Sequence, residues 1–268
     1  MNPEPSTVSS SSTPAASPTP GLAELPSPPD VTAALQGYVQ QIKAAAGDGL
    51  VCMALYGGIV RQRYQTRRSD INLLLVIKTV DGDVLQRLAP ILHSAWREIR
   101  LEPFLLTQSE VSRAAVLFPT KMLDIRRHHR VLEGEDVLGN LEVRREDVNL
   151  RIEQELRNLA LRLRRRFISI QQDDQAMERA LLDATVPLRV NFLALLELAE
   201  APIKGDERTA AVYAAAANHF GLDRATLEAL ARLRDTGSSG SPARDLYLAV
   251  THLIDQVADK VCCPGRTQ

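Results

Sequence analysis

The chain has 268 residues, 45% hydrophobic and 24% charged, which is enough apolar sequence to fill one large domain or two smaller ones. Its formal net charge is −1, from 32 basic and 33 acidic residues, which excludes a whole-molecule field that steers it to nucleic acid or anionic lipid. Aromatic residues make up only 4%, which argues against a base-stacking platform for RNA.

The first 29 residues are rich in Pro, Ser and Thr and contain no Lys or Arg. They lack the basic start and the apolar stretch of a signal peptide, and no apolar run in the chain approaches the roughly 20 residues that cross a bilayer. We therefore expect a disordered tail over residues 1–29 and no membrane partner. Cys52, Cys262 and Cys263 form neither a disulfide framework nor a zinc motif, which favours a reduced, cytoplasmic setting.

Apolar runs and helical periodicity predict the order helix, strand, strand, helix, strand up to about residue 140. The predicted bounds are, in order, 31–46, 50–56, 71–77, 83–98 and 101–107. Asp30 is the predicted N-cap of the first helix, and Pro103 indicates that the third strand lies at an edge or contains a bulge.

The second half of the chain changes character. Apolar residues recur at helical spacing over 146–170, and four further helices are predicted over 175–200, 206–220, 223–235 and 243–261. The predicted fold class is α+β: a small mixed β-sheet domain over 30–140, then an all-α helical bundle over 141–262. The last residues, 263–268, are expected to be disordered.

Polar and glycine residues stand where the first two predicted strands meet. Gly57 and Gly58 end the first strand, and a glycine turn lets backbone N–H groups approach a phosphate because no Cβ blocks it. Asp70 and Asn72 open the second strand and point to the same side, since side chains alternate along a strand. Two carboxylates so placed hold Mg²⁺, and Glu102 on the third strand is the candidate for a further carboxylate.

This pattern resembles the nucleotidyltransferase superfamily, which includes DNA polymerase β and kanamycin nucleotidyltransferase. The family motif reads here as Tyr56-Gly57-Gly58, eleven residues, then Asp70-Ile71-Asn72. The resemblance implies Mg²⁺-dependent transfer of a nucleoside monophosphate from an NTP to a small-molecule or protein acceptor that the sequence does not identify. It also implies a role for each motif residue. Asp70, Asn72 and Glu102 form the catalytic and metal-binding set, while Gly57, Gly58, Arg61, Arg67 and Arg68 hold the triphosphate.

Asn72 departs from the family pattern, which has a carboxylate at that position. An amide oxygen ligates Mg²⁺ without adding charge, so metal binding and transition-state neutralisation are both weakened. Glu102 is also one methylene longer than the usual Asp. Two interpretations follow: a weakened transferase, or a catalytically degenerate nucleotide-binding or protein-interaction module of the same fold.

Two further basic segments stand out. We interpret "IRRHHR" over 125–130 as a surface turn, and the resemblance makes "HRVLEGED" over 129–136 a boundary marker between the domains. From Arg151 to Arg166 the chain carries six arginines and two glutamates, a face that either meets phosphates or is simply solvated. No aromatic residues are interleaved with these arginines, so nucleic acid is not the expected partner.

Overall fold

The computed structural model describes Leu22, Leu25 and residues 27–62, 64–66, 68–203 and 207–260. Most of the predicted tail and the predicted disordered end at 263–268 lie outside the described residues. Contacts divide the chain into two compact units: residues 1–111 with 128–137, and residues 112–127 with 138–268. The predicted domain division at residues 140 and 141 stays a prediction.

The first unit is built around a four-stranded sheet. Its elements are α1 (Pro29–Ala46), β1 (Leu50–Tyr56), β2 (Ile71–Ile77), α2 (Gly82–Ile99), β3 (Leu101–Thr107) and β4 (His129–Gly134). The strand order is β3-β2-β1-β4; β1 pairs antiparallel with β2 and β4, whereas β2 and β3 are parallel. The predicted small mixed sheet is therefore confirmed, and Pro103 lies in the edge strand β3.

The core of this unit explains why β1 and β2 are apolar over most of their length. One face of the sheet, with Leu55 and Leu73 among its residues, forms a cluster with residues of α1 and α2 such as Leu35 and Leu88. Residues of the other face, such as Leu74, are also fully buried. Strands buried on both faces read as continuous hydrophobic runs, which is how both strands are recognisable in the sequence.

Two predictions near the start of the chain are corrected. Helix α1 begins at Pro29 with Pro28 as N-cap and no side-chain cap, so Asp30 lies in the first turn rather than capping it. Proline suits position 29, the first residue of the helix, because its fixed φ is helical and its missing N–H would have no helical partner there. The tail prediction is wrong at Leu22 and Leu25, which are 2% and 8% exposed in the sheet-side core.

A third correction concerns residues 125–130, which are not a surface turn. Helix α4 (Pro119–Arg127) ends within this segment, and β4 begins at His129. Polar residues open β4, so its own sequence lacks a clear strand signal. Its pairing with β1, from Cys52↔Gly134 to Tyr56↔His129, makes it a strand.

The second unit is helical. Its long helices are α5 (Arg145–Ile170), α6 (Asp174–Leu198), α7 (Thr209–Phe220), α8 (Arg224–Thr236) and α9 (Ala243–Lys260), after the short α3 (Glu110–Leu117) and α4. Ile152, Leu156 and Leu163 of α5 are buried in one cluster with residues of the other long helices, which confirms the predicted helical region. Within the described ranges, no helix is both long and apolar enough to cross a membrane.

Candidate functional site

A row of polar side chains crosses one end of the sheet. The strand register aligns Glu102 with Asn72, Asn72 with Tyr56, and Tyr56 with His129, so one residue comes from each strand. Paired residues on neighbouring strands point to the same face, and alternation puts this row on the face opposite α1 and α2. The structure therefore brings together two predicted site residues, Asn72 and Glu102, and adds Tyr56 and His129, which sequence reasoning missed.

The glycine turn packs against this row. Gly57 has a positive φ of 75° and starts a single 3-10 turn that ends at Ile59. A Cβ on Gly57 would lie 2.8 Å from Nδ2 of Asn72, whereas a Cβ on Gly58 would meet nothing within 4 Å. Asn72 and the left-handed backbone thus require glycine at position 57, and packing does not require it at position 58.

Asp70 is held by an arginine that the sequence analysis did not single out. Arg100 donates a hydrogen bond from Nε to Oδ1 of Asp70 at 2.8 Å, and its Nη2 lies 2.6 Å from the same oxygen in an ion pair. Arg100 ends α2 in the left-handed conformation at φ 55°, and its guanidinium lies 5.1 Å from the ring centroid of Trp96. The order of residues along the two strands could have indicated this contact. Ile71 pairs with Leu101 in parallel strands, so the residues just before them, Asp70 and Arg100, are also neighbours.

Tyr56 and His129 complete the row with polar groups of different character. Burial, and then the Glu102 carboxylate, raise the pKa of Tyr56 to about 12, so its hydroxyl keeps its proton at neutral pH. Nε2 of His129 lies 3.2 Å from Oδ1 of Asp136. Tyr56 can therefore donate its hydroxyl proton in a hydrogen bond, and the charge of Glu102, two strands away in the row, favours the protonated form.

The basic loop between the motif halves is only partly described. Arg61 is half-buried and its backbone N–H donates to the Gly57 carbonyl at 3.1 Å, while Arg68 is exposed. Arg67, a predicted phosphate contact, lies outside the described residues. Contact of Arg61, Arg67 or Arg68 with a triphosphate stays a prediction.

The residues present do not fit a resident Mg²⁺ ion. Mg²⁺ takes octahedral oxygen coordination, for which a protein usually supplies one or two free carboxylates while water and substrate phosphates supply the rest. Here Asp70 already accepts a hydrogen bond from Nε of Arg100 and forms an ion pair with Nη2, Asn72 is uncharged, and Glu102 is exposed on the edge strand. Across the described part of the chain, no group of three or more His, Cys, Asp or Glu side chains is placed to hold a metal ion. The predicted metal ligands are Asp70, Asn72 and Glu102. Of these, the Asp70 carboxylate is neutralised by Arg100, Asn72 is an amide, and only the Glu102 carboxylate keeps its charge without that pairing.

Comparison with known proteins gave structural neighbours only. No family model and no curated protein matches the chain. A spectinomycin adenyltransferase from Enterococcus faecialis, solved with ATP and spectinomycin, is 17% identical with a TM-score of 0.46, over 82% of this chain and 97% of that one. A nucleotidyltransferase-like protein from Exiguobacterium sibiricum is 12% identical with a TM-score of 0.36, over 85% of this chain and 78% of that one. At these identities and TM-scores neither neighbour assigns a family or an activity to this chain.

Proposed function

We propose that the first unit is a nucleotidyltransferase-type domain that binds a nucleoside triphosphate at the polar end of its sheet and has lost most or all metal-dependent transfer. The observation that carries this proposal is the ion pair between Arg100 and Oδ1 of Asp70, which includes a hydrogen bond from Nε of Arg100. Asp70, the first carboxylate of the motif, is thus paired with the guanidinium of Arg100, whereas transfer chemistry needs this carboxylate to bind a divalent ion.

Charge is the main argument against transfer. Asp70, Asn72, Glu102 and Arg100 together carry a net charge of −1, because one guanidinium offsets one of two carboxylates. The side chains of Arg100 and Asp70 are 43% and 35% exposed, so solvent screens their attraction and a strong competitor can still separate them. A site with one net negative charge holds a divalent cation weakly, and that cation is what would neutralise a transferring phosphoryl group.

Nucleotide binding is supported by the parts of the motif that remain. The positive-φ turn at Gly57 brings backbone close to the polar row without a Cβ. The arginines between Gly57 and Asp70 suit phosphate, because guanidinium pairs with phosphate oxygens in a bidentate way. Arg100 itself becomes a phosphate partner if a triphosphate draws it from Asp70.

The second candidate is Mg²⁺-dependent transfer of a nucleoside monophosphate to a small-molecule or protein acceptor. One observation favours it: Asn72 and Glu102 are register partners on one face, as a shared ligand set requires. Under this function the Asp70–Arg100 ion pair would open when the nucleotide binds, and the Asp70 carboxylate would then be available to hold Mg²⁺.

Thermal melting against ATP, GTP, CTP and UTP, each with Mg²⁺ and with EDTA, tests the proposal. A ligand at 100 times its dissociation constant stabilises by about 2.7 kcal/mol, which is roughly 5–10 °C for a chain of this size. We expect a shift with at least one nucleotide that persists in EDTA. No shift with any nucleotide contradicts nucleotide binding, and a shift confined to Mg²⁺ with release of pyrophosphate establishes the transferase instead.

A variant pair tests whether Arg100 excludes the metal. Asn72→Asp with Arg100→Gly adds a third carboxylate to Asp70 and Glu102 and removes the cation paired with Asp70, and glycine suits the left-handed backbone at position 100. We expect this double variant to bind Mn²⁺ in the absence of nucleotide, measured by electron paramagnetic resonance. The control is Asn72→Asp alone, which keeps Arg100 and should not bind; equal Mn²⁺ affinity in both variants contradicts the role given to Arg100.

A further inference from the structure

The arginines of α5 fall into two groups once their partners are known. Four of the six arginines from 151 to 166 have carboxylate partners within 4.0 Å: Arg151 with Glu155, Arg157 with Glu153 and Asp259, Arg164 with Asp255, and Arg166 with Asp183. Arg162 and Arg165 have no carboxylate partner among the described residues, and both are exposed. They lie three positions apart, so their side chains are neighbours on one face of the helix.

These two arginines line two adjoining cavities in the groove between α5 and α6. The first has a volume of about 570 Å³ and is also lined by Glu155, Asn158, Leu161 and Pro187. The second, of about 400 Å³, is shared with residues that include Asp183 and Ala184. Both volumes fall in the range of about 300–1,000 Å³ typical of small-molecule sites.

The groove has an uncompensated positive charge. Its two carboxylates, Glu155 and Asp183, are already paired with Arg151 and Arg166 at 2.7 Å each. The charges of Arg162 and Arg165 therefore remain unbalanced within the cavities. Two guanidinium groups side by side repel each other in a protein that is otherwise close to neutral, and an anion between them removes that repulsion.

The rest of the lining supplies one more polar group and an apolar wall. Asn158 lies on the same helical face, four residues before Arg162, and offers an amide donor. Leu161 is 58% exposed, and Pro187 interrupts the hydrogen-bond ladder of α6 because it has no N–H. A few convergent donors against apolar surface is the usual composition of a ligand site.

We propose that this groove binds the phosphate groups of a small, multiply charged anion through Arg162, Arg165 and Asn158. Phosphate is the favoured chemistry because adjacent guanidinium groups present paired N–H donors to its oxygens. A small ligand is favoured over a nucleic acid because the positive charge is confined to two residues, while the neighbouring arginines are neutralised by Asp183, Asp255 and Asp259.

Isothermal titration with inorganic pyrophosphate tests the proposal on the full chain. The test variant is Arg162→Gln with Arg165→Gln. The matched control is Arg179→Gln with Arg224→Gln, which removes the same charge at exposed positions of α6 and α8 that line neither cavity. We expect the test variant to weaken pyrophosphate binding by roughly tenfold or more, since charged hydrogen bonds are lost, and the control to bind like the unmodified chain.

Three outcomes overturn the proposal: no binding of pyrophosphate in the millimolar range, equal weakening in both variants, or binding of a single-stranded oligonucleotide but not of pyrophosphate. Thermal melting without anion verifies that both variants are folded, which their surface positions lead us to expect. Unchanged binding in the test variant also overturns the proposal, because the pyrophosphate then binds at another site, such as the polar row of the sheet.

Discussion

Arg100 occupies the Asp70 carboxylate at the polar end of the sheet. It ends a helix in a left-handed conformation, pairs with Asp70 and covers the ring of Trp96. A non-glycine residue at positive φ costs about 1 kcal/mol or more and persists only where the surroundings stabilise it. The hydrogen bond and ion pair with Asp70 and the contact with Trp96 provide that stabilisation.

The two motif glycines should differ in what they tolerate. Gly57→Ala places a Cβ 2.8 Å from Nδ2 of Asn72 and forces a side chain into positive φ. We expect it to lower the free energy of unfolding by about 1–2 kcal/mol, measured by urea denaturation. Gly58→Ala is the control, because its Cβ has open space and its φ is ordinary. Equal losses in the two variants contradict the packing of Gly57 on Asn72.

Cys52 should make stability fall in alkali. Burial raises the pKa of its thiol from 9.0 to about 11. The folded state then holds its proton where the unfolded state loses it, so the stabilisation is complete below pH 9 and is lost as pH rises towards 11. We expect unfolding free energies to fall by about 1 kcal/mol per pH unit in this window relative to a Cys52→Ala variant.

Alkylation gives a second readout of the same thiol. In a chain with Cys262 and Cys263 replaced by Ser, Cys52 should react with iodoacetamide at pH 8 only after denaturation, because it is fully buried. Rapid modification of the native chain, or a fall in stability between pH 9 and 11 that is equally steep in Cys52→Ala, contradicts this account.

At the scale of elements, α2 determines how the first residues of β2 and β3 are placed relative to each other. It connects the parallel strands β2 and β3, and their register places Ile71 beside Leu101. The Ile71 N–H donates to the Arg100 carbonyl at 3.0 Å, which continues the strand pairing to the end of the helix. Asp70 and Arg100 therefore meet because this crossover fixes the position of both strands.

The start of α2 offers a test of how firmly this element is held. Oδ1 of Asp81 accepts a hydrogen bond from the Val84 N–H at 2.8 Å as the N-cap. Asp81→Ala should lower the free energy of unfolding by about 1 kcal/mol, because the cap is lost. Asp81→Asn keeps an acceptor and should lose only a fraction of that amount. Chemical denaturation of both variants checks the prediction, and identical losses contradict a capping role.

At the scale of the whole molecule, the chain forms two compact units with separate hydrophobic clusters. The first cluster extends beyond the sheet and its helices to Leu22 and Leu25. The low-complexity N-terminal sequence thus contains two leucines that belong to a folded core.

Substitution of Leu22 tests this extension. Leu22→Ala should lower the free energy of unfolding by about 2 kcal/mol, since a side chain only 2% exposed loses its buried contacts. Leu150→Ala on α5 is the control, because Leu150 is 56% exposed and should change stability little. Unfolding followed by circular dichroism measures both, and an unchanged stability in Leu22→Ala contradicts burial of this segment.

The sequence by itself determined the elements whose signals are local. Each of these segments shows in its own residues which positions are buried. The signal is an apolar run in β1 and β2 and an apolar residue at helical spacing in the long helices. The spacing from Gly57 to Asp70 likewise identified where the polar residues cluster, because glycine turns and strand starts are properties of a few adjacent residues.

Only the tertiary structure decided which polar groups face one another. Strand β4 exists because β1 pairs with it, and Asp70 meets Arg100 across 30 positions because β2 and β3 are parallel. Arg162 and Arg165 differ from their neighbours only after Asp183, Asp255 and Asp259 are seen to pair with the other arginines. Strand register and ion pairing depend on contacts between distant segments, and those contacts decide here whether a motif carboxylate is available to a metal.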